Sequence, residues 1–158
     1  MSIEPGARGR AWRLAAVLCG IVVAVDQATK AIVEGALVPG ERHQLFLGID
    51  LTNVHNQGVA FGLAGGGGTG LVVVTMVALA AVLFFFARHS ERAGLWVAVG
   101  LLAGGAFGNL ADRVRIDAVT DFIDLPLWPP FNLADVAIVA GVGALALIYL
   151  GEPDQSAG

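Results

Sequence analysis

Five aspartates stand in the stretch GNLADRVRIDAVTDFIDLPLWPPFNLADVAIV, from Gly108 to Val139: Asp112, Asp117, Asp121, Asp124 and Asp135. Arg113 and Arg115 lie among them, and long apolar runs flank the stretch on both sides. Two carboxylates that share one site cannot both ionise cheaply, so one keeps its proton while the other activates water. A pair of this kind can hydrolyse an amide without a metal or a covalent intermediate. Asp121 and Asp135 are the candidates, because the 14-residue step between them can fold the first over the start of an apolar helix that carries the second. Asp117 and Asp124 read as solvated loop charges.

Other chemistries lack their residues. Serine occurs only at Ser2, Ser90 and Ser156, none of them inside an apolar run. Histidine occurs at His43, His55 and His89 with no HExxH pattern, so the zinc metalloprotease signature is absent. Cys19 is the single cysteine, which rules out an internal disulfide and leaves it as a small packing residue. No Walker-type loop is present, and the glycine run at Ala64–Gly70 reads as punctuation, not as a phosphate cradle. No metal and no cofactor is expected.

The elements that position the aspartates follow from hydropathy. The chain has 158 residues, 56% of them hydrophobic and 14% charged, against about 25% charge in a soluble domain. The run from Gly68 to Ala87 is free of charge, as is the run from Ala93 to Ala111. Leu14–Val25 is apolar and continues helically through Asp26, and Phe131–Gly151 carries only Asp135. A membrane-spanning helix needs roughly 20 mainly apolar residues. The expected fold is an all-α membrane protein, one integral membrane domain over residues 1–158. It has four transmembrane helices near 12–33, 68–87, 93–111 and 131–151, and a small extracytoplasmic β element between helices 1 and 2, near 41–62. Strand-like alternation around Leu45–Val54 supports that element, and AGGGGTG (Ala64–Gly70) reads as a hinge into the second helix. The first segment admits a second reading as a cleaved signal peptide, since Arg8, Arg10 and Arg13 precede it. Leu18 stands where cleavage before Cys19 would want a small residue, so a retained helix is expected.

Arg8, Arg10 and Arg13 flank the first helix, and Arg88 and Arg92 lie between the second and third. Positive-inside logic puts both groups, and with them both termini, in the cytoplasm. The C-terminal GEPDQSAG is acidic and gives this no support. Asp26 then lies roughly 20 Å up the first helix from Arg13, with Lys30 one turn beyond. Asn109 lies roughly 24 Å up the third, followed by Asp112 and Arg113. Asn132 and Asp135 open the fourth. These groups form one polar layer near the outer face. Ionisable groups at membrane depth cost at least about 2.5 kcal/mol each on insertion scales and tend to face the bundle interior and mark function. Asp26–Lys30 and Asp112–Arg113 read equally well as structural pairs that hold helices together. A small proton-coupled carrier, a channel subunit or a structural subunit is the alternative to an enzyme, although a carrier calls for a carboxylate nearer the midplane. The net charge of −4 and the absence of a basic stripe exclude a nucleic-acid partner.

Five motifs, in order, resemble those of the lipoprotein signal peptidase (signal peptidase II) family of bacterial membrane aspartyl proteases. They are DQATK (Asp26–Lys30), NQGVAFG (Asn56–Gly62), GGAFGNLADR (Gly104–Arg113), VTDFID (Val119–Asp124) and FNLAD (Phe131–Asp135). Each alone is weak; the ordered set, spread over nearly the whole chain, is specific. The resemblance implies that Asp121 and Asp135 are the catalytic dyad. It implies that Asp26, Lys30, Asn56, Asn109, Asp112, Arg113 and Asn132 bind substrate or brace the site. It implies an endopeptidase of the bacterial inner membrane, with its active site near the outer face. The enzyme would remove signal peptides from diacylglyceryl-modified prolipoproteins just before the lipidated cysteine. The expected partners are lipidated prolipoproteins and membrane lipid, and the enzyme is expected to act as a monomer.

Overall fold

The computed structural model describes residues 5–58 and 68–151. Among these residues four helices are long and apolar enough to cross a membrane: α1 (Pro5–Ala36), α2 (Gly68–His89), α3 (Leu95–Ile116) and α4 (Leu133–Leu150). Among the described residues four strands, β1 (Arg42–Phe46), β2 (Ile49–Asn56), β3 (Val119–Leu125) and β4 (Trp128–Phe131), form one antiparallel sheet in the order β1-β2-β3-β4. The expected β element between the first two helices is therefore half of the sheet. The other half comes from the chain between α3 and α4, where a loop was expected. The reason it escaped notice is burial: Val119, Thr120, Asp121 and Phe122 are all buried, so β3 shows no polar alternation. The last three residues of the expected hinge, Gly68–Gly70, are already helical, while its remainder, the Val59–Gly62 part of the second motif and the acidic tail from Glu152 lie outside the described residues.

Between helices the bilayer supplies no hydrophobic drive, so close approach of backbones has to hold the bundle together. α3 is the central helix, with Leu95, Ala98, Val99, Gly100, Ala103 and Gly104 all buried. Gly100, Gly104 and Gly108 recur every four residues on the face that meets α1. A Cβ on Gly104 would stand 2.6 Å from Val22 Cβ. Gly105 faces α4, where a Cβ would collide with the Ala134 carbonyl oxygen. At the end bearing the arginines, Trp12 and Phe86 meet with centroids 4.7 Å apart, and Arg8 donates to the Ala87 carbonyl. Arg92 caps the same end, 3.8 Å over the Tyr149 ring. At the opposite end Val33, Leu37 and Phe122 form a small core that seats β3 on the top of α1.

Gly105→Val should lower the thermal stability of the purified protein in detergent by about 1–3 kcal/mol, the usual cost of overpacking. Gly143, whose Cβ would meet nothing within 4 Å, should tolerate the same change. Equal melting temperatures for the two variants would show that the α3–α4 approach does not set the packing.

Candidate active site

Lys30 is among the largest fully buried side chains of the described residues. An ammonium has three donors and no acceptor, and each donor here has one partner. Lys30 Nζ is 2.8 Å from Asp26 Oδ2, 2.8 Å from Asp112 Oδ2 and 3.0 Å from Asn109 Oδ1. The second oxygens of the aspartates are also used. Asp26 Oδ1 accepts the Ala134 N–H at 2.9 Å, on the first turn of α4. Asp112 Oδ1 accepts Gln27 Nε2 at 3.0 Å, and Asp112 Oδ2 also accepts the Thr120 N–H at 3.1 Å. One stripe of α1 thus binds α3, α4 and β3 together. The Asp26–Lys30 pair expected from the i, i+4 spacing is present. The expected Asp112–Arg113 pairing is replaced by Lys30, with Arg115 3.6 Å from Asp112 Oδ1. Adjacent residues on a helix do not face one another, and Arg113 turns the other way, donating weakly to the Asn109 carbonyl at 3.4 Å.

Two asparagines carry this anchor to the candidate dyad. Asn109 Oδ1 accepts from Lys30 and from Asn132 Nδ2, at 3.0 Å each, and Asn109 Nδ2 donates to Asp135 Oδ1 at 2.8 Å. Asn132 is the N-cap of α4. Its side-chain Oδ1 accepts the Asp135 N–H at 3.0 Å, while the Asp135 carboxylate accepts the Asn132 N–H at 3.2 Å, a reciprocal capping box. The same Asn132 Nδ2 donates to Asp121 Oδ1 at 2.7 Å. Asn56 Nδ2 donates to the other oxygen, Asp121 Oδ2, at 2.9 Å. The register explains this reach: Val54 pairs with Asp121 and Asn56 lies two residues further along β2, on the same face.

Asp121 is 2% exposed. Burial pushes its carboxyl up to about 6, the nearby Asp135 charge adds to the rise, and the hydrogen bonds from Asn56 and Asn132 oppose it. Between 3.8 and about 6 the folded chain keeps a proton that the unfolded chain has lost, so Asp121 makes stability fall as pH rises through that window. Asp135 is half-buried and lies on the wall of a cavity of about 340 Å³ between α2, α3 and α4. Val74, Ala78, Leu79 and Ile138 make that cavity apolar, and Asn109 and Arg113 stand beside Asp135 on its lining.

All nine site residues named from the sequence therefore fall in one connected network, Arg113 joining it through the Asn109 carbonyl. Asp117 is exposed, as a solvated loop charge should be, and ends α3 in the left-handed conformation. Asp124 is not a loop charge. It is buried on β3, 2.5 Å from Arg42 Nη2. Gln27, Glu34, Thr120 and Arg115 were missed. Gln27 sits inside the DQATK motif and could have been read with it; Glu34 stands one helical turn beyond Lys30 on the same stripe, a visible signal.

A family model described as signal peptidase (SPase) II matches residues 18–150. The chain belongs to the signal peptidase II family. It is 42% identical to a lipoprotein signal peptidase of Pelotomaculum thermopropionicum, over 89% of this chain and 93% of that one. It is 39% identical to a lipoprotein signal peptidase of Burkholderia thailandensis, over 82% of this chain and 81% of that one. A solved bacterial membrane enzyme superposes with a TM-score of 0.81 at 30% identity, over 88% of this chain and 94% of that one. A second superposes with a TM-score of 0.78 at 28% identity, over 91% and 94% of the two chains. The chain is a multi-pass bacterial membrane protein and an aspartic protease by family. The carrier and structural-subunit readings fall away.

The Asn56 hydrogen bond favours the ionised form of Asp121, so its removal raises the pKa. Asn56→Ala should displace the kcat/KM pH profile of the signal peptidase towards alkaline pH relative to the parent. A profile lying on the parent's would disconnect Asp121 from the rate.

Proposed function

We propose that the chain is an intramembrane aspartyl endopeptidase that removes signal peptides from diacylglyceryl-modified prolipoproteins, cutting just before the lipidated cysteine. Asp121 and Asp135 form its catalytic dyad. The observation that carries this reading is Asn132. It donates its side-chain amide to Asp121 and its backbone N–H to Asp135, which places the two carboxyls around one residue. Their surroundings differ in the sense that an acid–base pair requires. Asp121 is enclosed, which favours its protonated form, whereas Asp135 borders the apolar cavity.

In the reaction Asp135 takes a proton from the attacking water, whose oxygen bonds to the scissile carbonyl carbon. Asp121 gives its proton to the carbonyl oxygen. As the tetrahedral intermediate collapses, Asp135 gives its proton to the amide nitrogen, Asp121 takes back a hydroxyl proton, and the C–N bond breaks. The signal peptide leaves with a new carboxyl group and the lipidated cysteine with a free amine. Asn109 and Asn132 hold the carboxyls in place through the sequence, anchored on Lys30. Asp26, Lys30 and Asp112 brace the site, and Arg113 lines the cavity where substrate enters beside Asp135.

The arginine-rich end, with Arg8, Arg88 and Arg92, faces the cytoplasm, so the dyad and the sheet lie at the outer face. The enzyme acts as a monomer, a reading supported by the dyad carboxyls finding their described hydrogen-bond partners within the chain. Substrate arrives through the outer leaflet. Two acyl chains, at about 0.8 kcal/mol per buried methylene, hold its cysteine at headgroup depth, and an unmodified precursor has nothing to fix that height.

Asp121→Asn and Asp135→Asn should each lower cleavage of a lipidated precursor at least about a hundredfold and leave a folded protein. The parent enzyme should leave the same precursor uncut when its cysteine is replaced by serine. Full activity in either variant would overturn the dyad; equal rates on the two precursors would overturn lipid recognition.

Orientation has its own readout. In a Cys19→Ala background, Asp117→Cys should react with an impermeant thiol reagent added outside intact cells, and Glu91→Cys should react only after lysis. The reverse pattern would turn the topology over.

A further inference from the structure

Thr120 precedes Asp121 on β3 and is fully buried. Each of its polar groups is held by a different element. Its N–H donates to Asp112 of α3 at 3.1 Å, and its carbonyl accepts from Asn132, the cap of α4, at 3.3 Å. Its hydroxyl donates to Glu34 Oε1 of α1 at 2.6 Å. Glu34 is fixed in turn by Arg115 of α3, which reaches both carboxylate oxygens, at 2.8 and 3.2 Å. A two-pronged guanidinium–carboxylate contact sets direction as well as distance. Glu34 is two turns beyond Asp26 and one beyond Lys30, so the α1 stripe that anchors the helices ends on the strand that carries Asp121.

We propose that Glu34 and Arg115 form a positioning clasp for Asp121, acting through the Thr120 hydroxyl. Neither touches either catalytic carboxyl, so both are positioning residues, and the proposal rests on the Asp121–Asp135 reading above. The side chain of a strand residue is aimed by the backbone that leads into it. Asn56 and Asn132 hold the oxygens of Asp121, whereas the clasp holds the side chain of the residue that leads into it. The location of the clasp argues for this use. The Glu34 and Arg115 side chains are 24% and 46% exposed, at the rim of the dry assembly around Lys30. Such a surface pair contributes little to folding stability. Yet its inner end is a hydrogen bond to a fully buried hydroxyl one residue from the dyad, where a small displacement changes the rate far more than the stability.

The test uses the full-length enzyme in lipid with a lipidated precursor. Thr120→Val keeps the shape and removes the hydroxyl, Glu34→Ala removes the clasp from the rim, and Thr120→Ser restores the hydroxyl. Thr120→Val and Glu34→Ala should each lower kcat about ten- to a hundredfold, the scale of a misplaced reacting group, with KM little changed. Each should also displace the ionisation seen in the kcat pH profile. Thr120→Ser should retain most of the activity. Because both changes break one chain of contacts, the double variant should lose no more than the worse single one. Parent-like kcat in Glu34→Ala, or losses that multiply in the double variant, would overturn the clasp. Glu34→Ala removes only a rim side chain, so it carries the test even if Thr120→Val does not fold. If Asp121→Asn is inactive while both clasp variants keep parent kcat, the clasp alone fails; if Asp121→Asn is active, the dyad reading fails first.

Discussion

A lysine ammonium with no access to water, set among helices whose outer faces meet lipid, demands a partner for each of its protons. Lys30 meets that demand with Asp26, Asp112 and Asn109, and the position of almost everything else follows from it. Removing one member of such a group leaves a buried charge without compensation, at about 3–5 kcal/mol. The helices cannot slide or rotate against one another without breaking a contact of that size. The aspartates also spend their remaining oxygens on backbone N–H groups at Ala134 and Thr120. The anchor therefore fixes main chain, at the start of α4 and on β3, as well as side chains.

From this anchor the two asparagines act as rigid couplers. An amide side chain donates and accepts at once, and both functions of Asn109 and of Asn132 are in use. Lys30 is thereby linked to Asp135 through Asn109, and to Asp121 through Asn109 and Asn132 in series. A hydroxyl or a carboxylate in either place could not satisfy the same set of neighbours. The strain of bringing two acids together is thus opposed by a frame that begins far from either of them in sequence.

Much of this was legible in the residues. Hydropathy marked four spans because lipid enforces a long apolar run, and the polar layer emerged from rise per residue alone. The Asp26–Lys30 pair was visible because a helix puts i and i+4 side by side. What the sequence hid was partnership between distant segments. Nothing in the order of residues says that Lys30 reaches Asp112 rather than leaving it to Arg113. Nor does it say that β3 is buried on both faces, which cost the strand its alternating pattern. Asp124 was misread for the same reason, since its partner Arg42 lies on a strand more than eighty residues away. The Asp121–Asp135 pairing itself was weighed from residue types and spacing, and the family's motifs then singled it out.

The sheet is assembled from two hairpins, one entering the chain before α2 and the other after α3. A ribosome therefore delivers the two halves of the enzyme at different times. When α1 enters the bilayer, Lys30 has Asp26 beside it, but Asp112 and Asn109 do not yet exist, and β2 has no β3 to pair with. α1 must wait, with an incompletely matched cation in the membrane, until α3 arrives. Asp135 takes its place only when the last helix is threaded. Synthesis runs N-terminus first, so the order of the chain is also a safety interlock. A chain that stops before the last helix lacks Asp135 altogether. On the proposed dyad, a protease that shares its bilayer with other nascent membrane proteins becomes competent only once its final span is in place.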